Sequence, residues 1–288
     1  MTEIEKAAFK APTEAHWYLP TGAPFHKVPY KDKKRAGELK DATLRDAREV
    51  LAARSVTSIQ KFIAKQQLEM WGKNQLLDAI RRANFEGLMH TLIEDEQGFA
   101  AELEKWLTEI IGEANKVREE AAKRGDQLHE ALLLAARGKT FPAKWSAHVE
   151  AVQTALSKLK IDILAGQAEI SFYSSEGYGG TIDWHRRIDP VVLDYKTREK
   201  LDEKIRLAYP EKAMQLAAYR RAIGLSDADC YNVFVDLEAN VCVHHWDEPT
   251  LRREEKKFKL LNEYVHVSDR YWPTEAVRTY RMWEKPIK

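Results

Sequence analysis

Between residues 41 and 136 the apolar positions fall three and four apart; from 161 to 246 they alternate or run together. The first spacing is that of helices and the second that of strands. Leu103, Trp106, Leu107, Ile110, Ile111, Ala114 and Val117 make one apolar stripe. An earlier helix is expected around 58–71, with Ile59, Phe62 and Ile63 inward and Ser58 or Thr57 as its cap. Residues 124–138 read as a further helix ended by Gly138, and the next places Trp145, Val149, Val152 and Leu156 on one side. Three consecutive strands follow, IDILAGQAEISFYS, GYGGTIDWHRRI and PVVLDYKT, with glycines suited to tight turns. Then come a short helix over 211–224 stopped by Gly224, the strands CYNVFVDLE and VCVHHW, and a basic helix at roughly 248–265. The order predicts an α/β core of modest size behind a helical N-terminal extension. Residues 1–40 mix proline, glycine and aromatics and predict an extended arm or small hairpin.

With 288 residues, the chain can bury one substantial core, or a catalytic domain with a second subdomain. Charged residues make up 32%, yet net charge is only +1, so any basic surface for nucleic acid must be local. The stretches KVPYKDKKR and LRREEKKFKLL are such patches, to be solvated faces or to run along a phosphate backbone. Trp17, Tyr18, Phe25 and Tyr30 could stack on unpaired bases, although packing of the arm onto the body is the simpler reading. The two cysteines, Cys230 and Cys242, match no zinc spacing and read as buried thiols, on neighbouring strands where they could touch. The charged N-terminus is not a signal peptide and no stretch suits a membrane helix, so a reducing cytoplasm is the expected setting (the host's, if the chain is phage-encoded).

The candidate chemistry is Asp183 followed by Asp194-Tyr195-Lys196. Side chains alternate along a strand, so Asp194 and Lys196 share a face. Val191, Val192 and Leu193 before them suggest a central strand buried on both faces. A carboxylate and an ammonium at the end of such a strand form either an ion pair, worth about 0–1 kcal/mol if exposed, or part of a metal site. Two carboxylates from adjacent strands can hold a hard divalent cation against a phosphate, and a lysine beside them can act on the attacking water.

The run GGTIDWHRRIDPVVLDYKT (179–197) resembles the core of RecB-like PD-(D/E)XK nucleases: a glycine-led strand ending in Asp, a turn, then an apolar strand ending Asp-Tyr-Lys-Thr. RGDQLHEAL (124–132) is similar to the family's upstream helix motif, Glu169 falls at an acidic position on the preceding strand, and Gln215 and Tyr219 match its downstream Gln-x-x-x-Tyr helix. The resemblance covers about residues 120–225. A fainter likeness, SVTSIQKF followed by LEMWGKNQ, is to a helical segment ahead of the core in phage- and mitochondrial-type exonucleases, with Arg54 where those often have proline.

The resemblance implies a restriction-endonuclease-like core, a mixed central sheet flanked by helices, over 119–288, behind an arm and helical region over 1–118. It implies Asp183 and Asp194 as metal ligands, with His129 and the backbone carbonyl of Tyr195 completing the shell. Lys196 would act on the water; Glu169 would join the catalytic group or orient it; Gln215 and Tyr219 would orient the site or contact DNA. The metal would be Mg2+ or Mn2+, the substrate single-stranded or end-containing DNA, and a recombination or single-strand-binding protein a possible partner. Exonuclease action is expected over endonuclease, a helical cover making a tunnel that admits ends; a non-catalytic DNA-binding member of the fold is the rival. His244 and His245 point to opposite faces and cannot readily share a metal, whereas His185, two beyond Asp183, could line the site.

Overall fold

The strands form where the period of two was read, and they carry the centre of the fold. The computed structural model describes residues 16–31, 35–62, 80, 96–201 and 207–274. Strands β1 (Trp17–Tyr18), β2 (Lys27–Pro29), β3 (Leu39–Asp41) and β4 (Ala53–Ser55) lie in the N-terminal part. Strands β5 (Gln167–Tyr173), β6 (Tyr178–Arg186), β7 (Val191–Thr197), β8 (Asp229–Val235) and β9 (Val241–Trp246) follow. Six of them run in the order β1-β4-β6-β7-β8-β9, and β5 lies beside β6 as a seventh; β2 and β3 form a separate pair. The sheet is mixed: β7 is parallel to β8 and β4 to β6, and the other pairs are antiparallel.

Helices cover both faces. On one, α5 (Pro210–Ala222) and α6 (Glu248–Asp269) bury Met214, Leu216 and Phe258 with Ile182 and Val192. On the other, the end of α3 (Glu96–Ala136) and α4 (Ser146–Ser157) bury Leu128, Leu132 and Val152 with Trp184 and Leu193. Val192 thus serves one core while Val191 and Leu193 serve the other, which is why this strand is apolar without interruption. The expected α/β class with a flanked mixed sheet is observed. Among the described residues, no helix is long and apolar enough to cross a membrane.

Several local expectations are corrected. The stripe at 103–117 and the helix at 124–138 are one continuous helix, α3; Gly112 and Gly125 within it weaken a helix without ending it. Of the two expectations for the first residues, the hairpin holds, and it packs onto the body. Trp17 is wholly buried, its indole Nε1 donating to the Ala42 carbonyl, and Tyr18 is nearly so; neither can stack on a base. Phe25 packs against the same cluster, and the Arg35 guanidinium lies over the Tyr30 ring, 3.5 Å from its centroid. A helix not foreseen, α1 (Leu44–Val50), starts in a capping box between Thr43 and Asp46. In α2 (Val56–Gln60) the cap is Ser55 rather than Thr57 or Ser58, its hydroxyl accepting from the Ser58 N–H. Ile59 is buried as expected, Phe62 is exposed, and the rest of that expected helix lies outside the described residues. Cys230 is buried but Cys242 is exposed and pairs with Phe234 on the ladder, away from Cys230.

The chain divides into two compact units. Residues 14–63 and 127–288 form the unit that holds the sheet. In the other, residues 1–13 and 64–126, the described part of α3 buries Ile110 and Ala114 against Ile80 and Trp106. The expected boundary at 118/119 lies inside α3.

Candidate active site

The site is built on a fork in the sheet. Strand β5 runs along one edge of β6 for nearly its whole length. The other edge is shared: β4 pairs with Tyr178 and Gly179 at its start, and β7 pairs only with Trp184, His185 and Arg186 at its end. Beyond Leu193, β7 leaves β6 and stays with β8 as far as Thr197. Asp183 and Asp194 are the first residues past the last β6–β7 pair. Asp183 replaces the lost ladder with its side chain, Oδ2 accepting from the Tyr195 N–H at 2.7 Å.

Both strands beside the fork turn over at this level. Ile182 and Phe172 belong to one core, Trp184 and Ala168 to the other. Glu169, opposite Asp183, takes a left-handed backbone at φ 54°, and no ladder pair forms between the two. The twist sends Glu169 outward, where its carboxylate is 3.6 Å from the Arg137 guanidinium. It is not joined to the cluster around Asp183, and simple alternation along the strand could not have shown which way it faces.

The other expected residues converge. His129, from the last turns of α3, brings Nε2 to 3.2 Å from Asp183 Oδ1. Lys196 Nζ donates to Asp194 Oδ1 at 2.7 Å, so this is a largely buried pair rather than an exposed one. On α5, Gln215 Nε2 donates to the Tyr219 hydroxyl at 2.9 Å, both side chains buried. On this helix Ala213 to Arg220 are all buried. A Cβ at Gly180 would sit 2.9 Å from the rings of Phe172 and Tyr219, so only glycine lets Tyr219 come this close to the sheet.

Charge and burial oppose each other here. Burial, reinforced by the charge of Asp183, raises the Asp194 carboxyl above its ordinary value in spite of Lys196. Burial acts the same way on Asp183, but His129, Lys196 and the Tyr195 N–H outweigh it and hold that carboxyl low. Burial lowers His129 and Lys196, and in each the two carboxylates prevail and raise it. Burial, with the charges of Asp194 and Asp183, pushes the Tyr219 phenol well up, so it is a neutral donor. Two buried carboxylates thus face an ammonium and an imidazole.

Sequence reasoning missed two groups. Asn232, on β8 beside Asp194, is fully buried and donates from Nδ2 to Asp194 Oδ2 at 2.6 Å. The Trp246 indole donates to Asn232 Oδ1 at 2.7 Å. An indole N–H can only donate, so the amide oxygen must face Trp246 and the amide NH2 must face Asp194. Ahead of Asp183, the Tyr18 hydroxyl, Thr181 Oγ1 and Ser171 Oγ form a polar chain at 3.0 and 2.9 Å. His185 is buried with Nδ1 unpartnered and makes no hydrogen bond to the cluster. His245 faces Asp229 and His244 packs against Trp246. Within the basic stretches, Lys27 pairs with Asp41, Lys31 with Glu49, Arg252 with Glu248 and Lys257 with Glu254.

No family model matches the chain, and no curated protein matches it. Among solved structures it is similar to the crystal structure of SSO0001 over 77% of this chain and 96% of that one, at 16% identity and a TM-score of 0.28, too slight a likeness to carry an argument.

Proposed function

We propose that this chain hydrolyses phosphodiester bonds in DNA with a divalent metal, on a PD-(D/E)XK core, and that it acts on strand ends. The observation that carries the reading is the meeting of Asp183, Asp194, Lys196 and His129 where β6 and β7 part. These are the residues that the resemblance named, brought from a helix and two strands into one buried cluster.

The donor set suits Mg2+ or Mn2+ in its chemistry: hard carboxylate oxygens, one imidazole nitrogen and a main-chain carbonyl. Among the described residues, no three His, Cys, Asp or Glu side chains stand close enough to hold an ion as they are placed. Instead, Lys196 and His129 face the carboxylates. Two buried carboxylates facing one another favour a cation between them, and Asp183, Asp194, His129 and the Tyr195 carbonyl would hold it. The metal would make bound water acidic and neutralise charge building on the phosphate.

The chain's own groups supply the rest. The Lys196 ammonium, kept charged by both carboxylates, faces developing negative charge and positions the attacking water. Asn232 fixes one oxygen of Asp194, leaving the other for Lys196 and the reaction. Tyr219, a neutral phenol tied to Gln215, is placed to donate a hydrogen bond toward a phosphate oxygen. Action at ends rests on the likeness to phage- and mitochondrial-type exonucleases and on the helical N-terminal region.

The test is digestion of end-labelled linear DNA with Mg2+ or Mn2+. Wild type should degrade it, and Lys196→Ala and Asp194→Asn, still folded, should lose about 10²-fold or more. A closed single-stranded circle should survive. If no DNA is cut with either metal while DNA is still bound, the fold serves binding alone.

A further inference from the structure

Asp194, Lys196 and Arg198 alternate along one strand and its extension. The Arg198 N–H donates to the Val235 carbonyl at 2.8 Å, the last bond of the β7–β8 ladder, and alternation from Asp194 and Lys196 puts Arg198 on their face. The guanidinium lies over the Phe234 ring, 6.0 Å from its centroid. That ring belongs to the residue paired with Lys196. Arg198 and Lys196 feel each other's charge, and burial lowers the guanidinium's own affinity for its proton.

What sets Arg198 apart is that its side chain meets no acceptor among the described residues. Its Nε is buried and bonds to nothing, and among the described residues no carboxylate lies within ion-pair distance of it. Of the part-buried arginines, Arg54 is matched by Asp269 and Arg221 by Glu176 and Glu255, while Arg186 donates to the Asp189 carbonyl. Arg220 also has a bare Nε, but its terminal nitrogens are taken up by Glu248. A guanidinium drawn partly out of water without a counter-ion carries a desolvation cost that an anion would relieve. Its planar fork fits two oxygens of a phosphate.

We propose that Arg198 is a substrate-binding residue that grips a non-bridging pair of oxygens on a phosphate of the DNA backbone next to the one being cleaved. This rests on the nuclease reading above. Lys196 faces the reacting phosphate, and Arg198, one alternation further along the same face, meets a neighbour on the strand. The contact carries no base information, so it supports cleavage of any sequence.

The experiment pairs protein and substrate variants. A fluorescein-labelled single-stranded oligonucleotide is titrated in Ca2+ with wild type, Arg198→Met and Arg198→Lys, over a series of salt concentrations. Arg198→Met should weaken binding about tenfold or more and lower the slope of log Kd on log salt by about 0.7, the share of one phosphate contact on a single strand. Arg198→Lys should keep the slope and bind between the two. Strands with a single neutral methylphosphonate, placed in turn at linkages flanking the cleaved bond, should show one position that weakens wild type. That position should make no further difference to Arg198→Met. If wild type cuts DNA and the Met variant binds every strand in the same pattern and with the same salt slope, Arg198 only packs on Phe234 and the inference is overturned. If wild type neither binds nor cuts DNA, the nuclease reading itself falls.

Discussion

Asp194 keeps its place through a residue that no motif named. Its Oδ2 accepts from Asn232, whose orientation is set by the Trp246 indole. Asn232→Leu keeps the volume but leaves a buried carboxylate oxygen and a buried indole N–H unmatched, at a cost of about 1–3 kcal/mol each at most. Urea unfolding should show the loss, and cleavage should fall about tenfold or more as Asp194 loses its fixed rotamer. Trp246→Phe removes only the donor that orients the amide and should be milder. The double variant should match Asn232→Leu alone, because both act through one hydrogen-bonded chain. Additive losses would mean the two are independent packing residues. Strand alternation put Asp194 and Lys196 on one face, while His129, Asp183, Gln215 and Tyr219 were named by the resemblance to a known family. Asn232 and Trp246 were legible by neither route, since an Asn and a Trp on alternating strands look like ordinary filling. Glu169 was named by the resemblance, and its left-handed φ, which breaks the alternation of β5, could not be read from the sequence.

At the scale of elements, long periodic segments were legible and short ones were not. Strands β5 to β9 and helices α4 to α6 each give several turns or alternations to count. Strands β1 and β4 have two and three residues and offer no period, so their entry into the main sheet was invisible. Helix α1, seven residues long, shows itself only through its capping box. There Asp46 bonds back to the Thr43 N–H and to Lys40, while the Thr43 hydroxyl accepts from the Asp46 N–H. Lys40, with the Thr43 hydroxyl and N–H, depresses the Asp46 carboxyl in the folded chain. A depressed folded value means that its contribution is present above the ordinary aspartate range, near pH 4, and is lost as pH falls below it. Asp46→Asn should therefore lower the melting temperature at pH 6, by the several degrees that about 1 kcal/mol represents in a mid-sized domain. The gap to wild type should close progressively below pH 4. A gap that stays constant down to pH 2 would show that the carboxylate's charge has no part in the cap.

On the whole-molecule scale residues 14–63 belong to the same compact unit as the sheet and the candidate site. The reading of 119–288 as a self-contained core follows from where the recognisable motifs lie, but folding follows buried surface. Strand β4 takes the half of the β6 edge that β7 leaves open. Val56 and Ile59 of α2 complete the core under α5 and α6. Tyr18 lies so near Gly179 that a Cβ there would stand 2.6 Å from its side chain. The Tyr271 hydroxyl donates to the Ala47 and Ala52 carbonyls, and Arg54 pairs with Asp269, which ties the start of the unit to its end. A fragment of residues 119–288 would expose the open edge of β6 and the apolar faces that Trp17, Val56 and Ile59 now cover. Such a fragment should lack a cooperative calorimetric transition, show weak near-ultraviolet dichroism and bind a hydrophobic dye. Adding a peptide of residues 14–63 should restore at least part of the transition, because that peptide carries β1, β4, α1 and α2. Cooperative melting of the fragment by itself, with cleavage retained, would instead make the first strands an appendage. The polar chain from Tyr18 through Thr181 to Ser171 argues for the first outcome: the same segment that closes the core also braces the strand that carries Asp183.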